Sequence, residues 1–89
     1  MLAVHFQKKF LKDLANIPTL YREEIEHFVF DTLPSCKTLA ESNKFEKMTG
    51  YDHCVKARFG DYRIGAYYDK NIIELRHVLP RKEIYRYFP

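Results

Sequence analysis

Apolar residues in the first third of the chain recur with a helical period. Phe10, Leu14 and Ile17 stand at i, i+4 and i+7, with Lys8, Lys9, Lys12 and Asp13 between them. That spacing predicts an amphipathic helix with one buried stripe. Pro18 ends it, because the residue before a proline is pushed out of helical geometry. Thr19 is placed to cap a second helix, and Glu23 and Glu24 supply acids to its early turns, where the helix dipole favours them. Ile25, Phe28, Val29 and Leu33 form its stripe, and Pro34 is expected to close it. Two antiparallel helices joined at Pro18 make a hairpin. Ahead of them, Leu2 to Phe6 is short and apolar, and reads either as an edge strand or as the entry to a helix. Residues 35–52 are polar, with Leu39, Phe45 and Met48 as isolated anchors, and read as a loop with one helical turn, ending at Gly50.

From Cys54 the period changes to two. Val55, Ala57 and Phe59 alternate with Lys56 and Arg58, the pattern of a half-buried strand. Gly60-Asp61 is a tight-turn signal. Tyr62, Ile64, Ala66 and Tyr68 then alternate with Arg63, Gly65 and Tyr67, and Asp69-Lys70-Asn71 marks a second turn. Ile72 to Leu79 is a third strand whose alternation is impure, and Pro80 ends it. The tail from Arg81 to Pro89 has length for one or two helical turns. The expected architecture is α+β: an N-terminal helical hairpin packed on a small antiparallel β-sheet. With 89 residues and no linker or repeat, one domain over 1–89 is the default.

Charge adds a direction. Residues 1–52 carry seven Lys and Arg against eight Asp and Glu, whereas residues 53–89 carry eight against four. The basic excess therefore lies in the stranded half, where Arg outnumbers Lys. Arg presents a planar fork that suits phosphate, so a polyanion is the expected partner, nucleic acid above all. Seven Tyr, seven Phe and no Trp point to a ring-rich core, or to a surface that stacks on flat partners. Two cysteines, Cys36 and Cys54, are too few for a disulfide scaffold, and the expectation is a reduced, cytoplasmic protein. No N-terminal signal is expected, and no stretch approaches the ~20 apolar residues of a membrane span. His53-Cys54 lacks a second pair at ligand spacing, so no metal is expected. His5 and His27 read as surface or packing residues, and Cys36 as a free thiol.

Alternation also sorts the charges. If Val55, Ala57 and Phe59 face the helices, Lys56 and Arg58 face away. If Tyr62, Ile64 and Ala66 face the helices, Arg63 faces away too. The turn at Gly60-Asp61 sets these strands side by side, so three cations converge on one open sheet face, within reach of Arg81. Like charges opposite one another destabilise a sheet, and an anionic ligand is the simplest compensation.

The stretch Val55-Lys56-Ala57-Arg58-Phe59-Gly60-Asp61-Tyr62-Arg63-Ile64-Gly65 resembles the central hairpin of RelE-type toxins, in the RelE/ParE superfamily. The ending Leu79-Pro80-Arg81-Lys82-Glu83-Ile84-Tyr85-Arg86 is similar to that family's terminal His-Arg-Lys-x-x-Tyr signature. Phe10-Leu11-Lys12-Asp13-Leu14 followed by Pro18, and Phe45-Glu46-Lys47-Met48-Thr49-Gly50 before the sheet, resemble the family's opening helix and its Lys-Leu-x-Gly stretch. The four pieces occur in order and span nearly the whole chain.

The resemblance implies a toxin of a type II toxin–antitoxin system. Such toxins are ribosome-dependent endoribonucleases that cut mRNA in the A site by attack of a ribose 2′-hydroxyl on the adjacent phosphate. A cognate antitoxin neutralises them, and operator DNA is bound only through the toxin–antitoxin complex. No metal or other cofactor is implied. Carried over position by position, Arg63 clamps the scissile phosphate. Lys56 is a base if its cationic neighbours depress its pKa, and otherwise an electrostatic stabiliser. Arg58 contacts the RNA backbone, Arg81 is a further transition-state cation, and Tyr85 orients or stacks on the substrate base. Lys82 and Arg86 add RNA contacts. The chain departs from the family pattern at Pro80, where many relatives have His, and at Cys54, where some have Lys. His77 lies three residues before Pro80, and Glu83 is expected in an ion pair with Lys82 or Arg86. Two rival readings remain: a ParE-like toxin that binds a protein target such as gyrase, and a degenerate member that only binds antitoxin as a co-repressor.

Overall fold

A computed structural model describes all 89 residues. The order is β1 (Ala3–Phe6), α1 (Lys8–Ala15), α2 (Thr19–His27), a π turn (Phe28–Thr32), α3 (Leu33–Ser35), a 3-10 turn (Leu39–Ser42), β2 (Phe45–Lys47), β3 (Cys54–Phe59), β4 (Tyr62–Asp69), β5 (Ile72–Pro80) and α4 (Ile84–Tyr87). The α+β expectation holds, with helices on a mostly antiparallel sheet.

The sheet has five strands, not three, in the order β1-β5-β4-β3-β2. The segment Leu2 to Phe6 resolves as an edge strand, parallel to β5, with Ala3 opposite Ile72 and Phe6 opposite Leu75. The expected loop over 35–52 contains β2, antiparallel to β3, with Glu46 opposite Lys56. Three residues are too few for an alternation to show, so this strand exists because β3 supplies its hydrogen-bond partners.

The impure alternation of the third strand has a local cause. Gly65 of β4 faces His77 while its neighbour Ala66 faces Leu75. Arg76 is therefore an extra residue, a β-bulge. The bulge moves the buried face from Ile73 and Leu75 to Val78. At the β4–β5 connection, Lys70 and Asn71 both have positive φ, as a tight two-residue hairpin turn requires. At the β3–β4 turn, Gly60 has φ +58, and a Cβ there would lie 2.8 Å from the Tyr21 ring. Only glycine satisfies both limits.

Two helix expectations change. Thr19 is the first helical residue; the cap position belongs to Pro18 and carries no side-chain hydrogen bond. Pro34 does not close the second helix. The Leu33 N–H reaches back to the Phe28 carbonyl through the π turn, and Pro34 opens the short final turn, which runs to Ser35. A proline at the start of a turn loses no needed donor. The stripe Ile25, Phe28, Val29 and Leu33 stays buried throughout.

Seventeen buried residues form the main core between the helices and one sheet face, among them Phe10, Leu14, Ile25, Ala57, Ile64 and Leu75. Met48, Ile84 and Phe88 form a second, smaller cluster, with Cys54 and Leu79 packed against it. Cys54 belongs to the strand parity that faces away from the helices, so the C-terminal tail covers the opposite face of the sheet. No helix is long and apolar enough to cross a membrane.

Candidate functional site

Register builds the site. On the face away from the helices, β2, β3 and β4 line up Glu46, Lys56 and Gly65 in one row. In the adjacent row, Arg58 of β3 lies directly opposite Arg63 of β4. Beyond β5, the Arg81 N–H donates to the Asp61 carbonyl at 2.7 Å. That bond ties the start of the tail to the β3–β4 turn and brings Arg81 beside the arginine pair. One turn of α4 then carries Tyr85 back over β3, where the Lys56 Nζ donates to the Tyr85 hydroxyl at 3.2 Å and lies 5.7 Å from the ring centre.

The result is a cleft of ≈ 270 Å³ lined by Lys44, Glu46, Lys56, Ala57, Arg58, Arg63, Arg81 and Tyr85. It gathers all five residues expected to carry chemistry: Lys56, Arg58, Arg63, Arg81 and Tyr85. None of its five cations is in an ion pair; the ion pairs of the chain are His27–Asp31, His53–Asp69, Arg76–Glu74 and His77–Asp13. A cluster of unpaired cations with one carboxylate is a ready receptor for phosphate.

The expected open face needs one correction. Arg63 is buried, at 9% exposure, with Nη1 donating to the Gly60 carbonyl at 2.7 Å and to the Tyr62 carbonyl at 2.9 Å. Its guanidinium is held in a fixed orientation at the floor of the cleft, because burying it without partners would be costly. Arg58 and Arg81 are exposed at the rim.

Lys82 and Arg86 do not line the cleft; both are exposed on the tail outside it. Glu83 makes no ion pair with either. It is the residue at the N-terminal cap of α4 and borders a separate cleft with Lys9, Lys12, Asp13, His77 and Tyr87. His77 lies in that second cleft, its Nδ1 2.9 Å from the Asp13 Oδ2, and the same carboxylate oxygen accepts the Val78 N–H at 3.2 Å. It is a clasp between α1 and β5, and no histidine reaches the basic cleft. The neighbours His53 and Cys54 diverge: His53 turns to Asp69 and the Tyr67 ring, and Cys54 packs under the tail. Cys36 is a buried free thiol whose pKa is raised, first by burial and then by the nearby Glu41.

Lys44 and Glu46 were not anticipated. They flank Phe45: Glu46 lies on the short strand β2 and Lys44 just before it, and only pairing with β3 aims Glu46 into the cleft. Lys44 Nζ sits 4.6 Å from the Phe59 ring centre. A larger cleft of ≈ 530 Å³ opens elsewhere, lined by residues that include Lys47, Asp52, His53, Asp69 and Lys70. Its charges of both signs largely cancel, so it is not a match for a polyanion.

No family model matches the chain. Among characterised proteins, the chain is 35% identical over 88 residues to Toxin RelE3 of Methanocaldococcus jannaschii, covering 99% of this chain and 100% of that one. Among solved structures, the antitoxin–toxin complex RelB-RelE from Methanococcus jannaschii aligns with a TM-score of 0.77 and 35% identity, over 96% of this chain and 99% of that chain. The isolated RelE toxin of E. coli aligns with a TM-score of 0.65 at 19% identity, over 90% of this chain and 84% of that chain, a likeness of fold.

Proposed function

Since the chain belongs to the RelE toxin family, we propose that it is the toxin of a type II toxin–antitoxin pair and an endoribonuclease that cuts mRNA in the ribosomal A site. All 89 residues are read as one toxin domain. The observation that carries this reading is the basic cleft: five cations with no ion-pair partner around one carboxylate and one tyrosine. A toxin that only docked on a protein target would have no need of that arrangement.

The chemistry follows from the lining. The ribose 2′-oxygen attacks the adjacent phosphorus, the bond to the 5′-oxygen breaks, and a cyclic phosphate is left on the upstream fragment. A base must take the 2′-hydroxyl proton, cations must hold the crowded phosphorane, and an acid must protonate the leaving oxygen. Glu46 is the one carboxylate lining the cleft, so it is assigned as the base. Lys56 then need not be deprotonated. Its ammonium, directly across from Glu46, supplies charge and the leaving-group proton. Arg63, pre-set by its two carbonyl partners, clamps the phosphate; preorganised donors cost no rearrangement during reaction. Arg81 and Arg58 add charge from the rim, and Tyr85 stacks on or orients the base. Lys82 and Arg86 serve the RNA backbone beyond the cleft.

The solved relative from Methanococcus jannaschii is a RelB–RelE complex, and a RelB-type antitoxin is the proposed neutralising partner here. Operator DNA would be bound only by the toxin–antitoxin complex.

The test is induced expression followed by mapping of mRNA 5′ ends. Codon-phased cuts in translated RNA are expected, falling about 10²–10³-fold in Arg63→Ala, the range for losing one preorganised transition-state donor. Arg81→Ala, which removes charge from the exposed rim, should lose less. Growth arrest with intact mRNA and DNA damage would overturn the nuclease reading in favour of a gyrase-type target. Intact mRNA with normal growth and retained antitoxin binding would favour a co-repressor.

A further inference from the structure

Tyr85 lies over the cleft yet is 55% exposed, and it rides on a helix of four residues. One helical turn has no stability of its own, because nucleation fixes several residues for a single hydrogen bond. Something else must hold the tyrosine against Lys56. The residues on either side of it do so. Ile84 and Phe88, four apart and on one face of the turn, are each 2% exposed and pack with Met48. The Phe88 ring lies flush on the β4 backbone at Gly65: a Cβ on that glycine would come within 2.6 Å of two ring carbons. Gly65 has no positive φ, so its conformation does not call for glycine. Its missing side chain is the socket. Gly65 is also the cross-strand partner of Lys56, so the socket adjoins the residue that Tyr85 must meet.

We propose that Phe88, seated on Gly65, is a positioning residue: it docks the tail and so sets the Tyr85 hydroxyl against the Lys56 ammonium. The inference rests on the ribonuclease reading for its consequence, while the docking can be read without RNA. Phe88 packs with Met48 and Ile84 and does not itself line the cleft, so its effect is exerted through Tyr85.

The test uses the full chain with Phe88→Ala, Gly65→Ala and the double variant Gly65→Ala/Phe88→Leu. Gly65→Ala fills the socket, and the double variant trims the ring that would clash with it. Two readouts are taken: the nuclear Overhauser contact between the Tyr85 ring and the Lys56 side chain, and single-turnover cleavage of ribosome-bound mRNA. Both single variants should lose the contact and cut about a hundredfold more slowly, the scale for a misplacement of about 1 Å. Half-saturating toxin concentration should barely move, because the rim arginines are untouched. The double variant should recover the contact and most of the rate. The proposal is overturned if the Tyr85–Lys56 contact survives Phe88→Ala, if the contact is lost with the rate unchanged, or if the double variant is no better than Gly65→Ala. If the wild type cuts no RNA, the ribonuclease reading fails, and the contact readout alone still decides whether Phe88 sets Tyr85.

Discussion

The two faces of the sheet are made by the same strands and serve opposite ends. The helix-facing side buries Val55, Ala57, Phe59, Ile64, Ala66 and Leu75 in a continuous apolar core. The tail-facing side, one residue out of phase, carries Lys56, Arg58, Arg63 and Glu46 around a polar cleft, with only a three-residue apolar cluster beside it. Stability is concentrated on the first face. The second face spends some of it, because Arg58 and Arg63 are held opposite each other with no acid between them. A small domain has little stability to spare, and so the apolar anchoring of the second face is kept to the tail.

Substitutions on the two faces should therefore separate stability from activity. The largest effect belongs to the core. Phe10→Ala, at a fully buried site, should cost about 3–5 kcal/mol, enough to leave the chain largely unfolded in a denaturant titration. A loss under 1 kcal/mol would show that the helices contribute little to the fold. Next comes the clasp joining α1 to β5. Asp13→Asn exchanges a charged acceptor for a neutral one at His77 and the Val78 N–H, and should cost about 1–2 kcal/mol without moving the cleavage rate of the folded protein. A rate loss beyond that explained by unfolding would place the His77 cleft in the reaction after all.

Arg58→Gln reverses the sign. It removes one of two like charges facing each other, so the melting midpoint should rise by an amount corresponding to about 0.2–1 kcal/mol, while RNA binding weakens and its salt dependence becomes shallower by about 0.7 in the log–log slope. A destabilised Arg58→Gln would mean the arginine pair is not in conflict. The smallest effect is at the partly exposed Glu74, whose pKa is lowered, first by the hydrogen bond from Arg76. The folded chain favours the carboxylate, so folding at low pH releases protons. This contribution is whole above the ordinary value near 4.5 and is lost as pH falls through the lowered folded value. Glu74→Gln should flatten that limb of the stability–pH curve by removing a small stabilisation at neutral pH, while stability well below the lowered folded value stays nearly unchanged.

Much of this was legible in the residues. The period-3.6 stripes placed both helices, and the period-2 runs placed β3 and β4, because burial on one side imposes its period on any chain that folds. The same alternation sorted Lys56, Arg58 and Arg63 to one face, and the tail motif put Arg81 and Tyr85 near it. The turn residues Gly60 and Asn71 marked their hairpins, since few side chains tolerate positive φ. Where one local rule met a non-local one, the sequence was silent or misleading. β2 is too short to show a period. The Arg76 bulge blurred β5. Pro34 sits inside the helical run, because a π turn before it rearranges the ladder.

What the sequence determined by itself is periodicity, and with it the helices, the central hairpin and the parity of each charge. What only the tertiary structure decided is proximity between segments that no spacing connects. Glu46 meets Lys56 through strand pairing. Asp13 captures His77 across 64 residues, which takes the one nearby histidine away from the cleft. Arg63 is pinned at the floor and not free on an open face, and Phe88 occupies the space that Gly65 leaves. Each of these depends on which strands pair and in what register. That choice is made by the summed burial of the whole core, and no local stretch of the chain contains it.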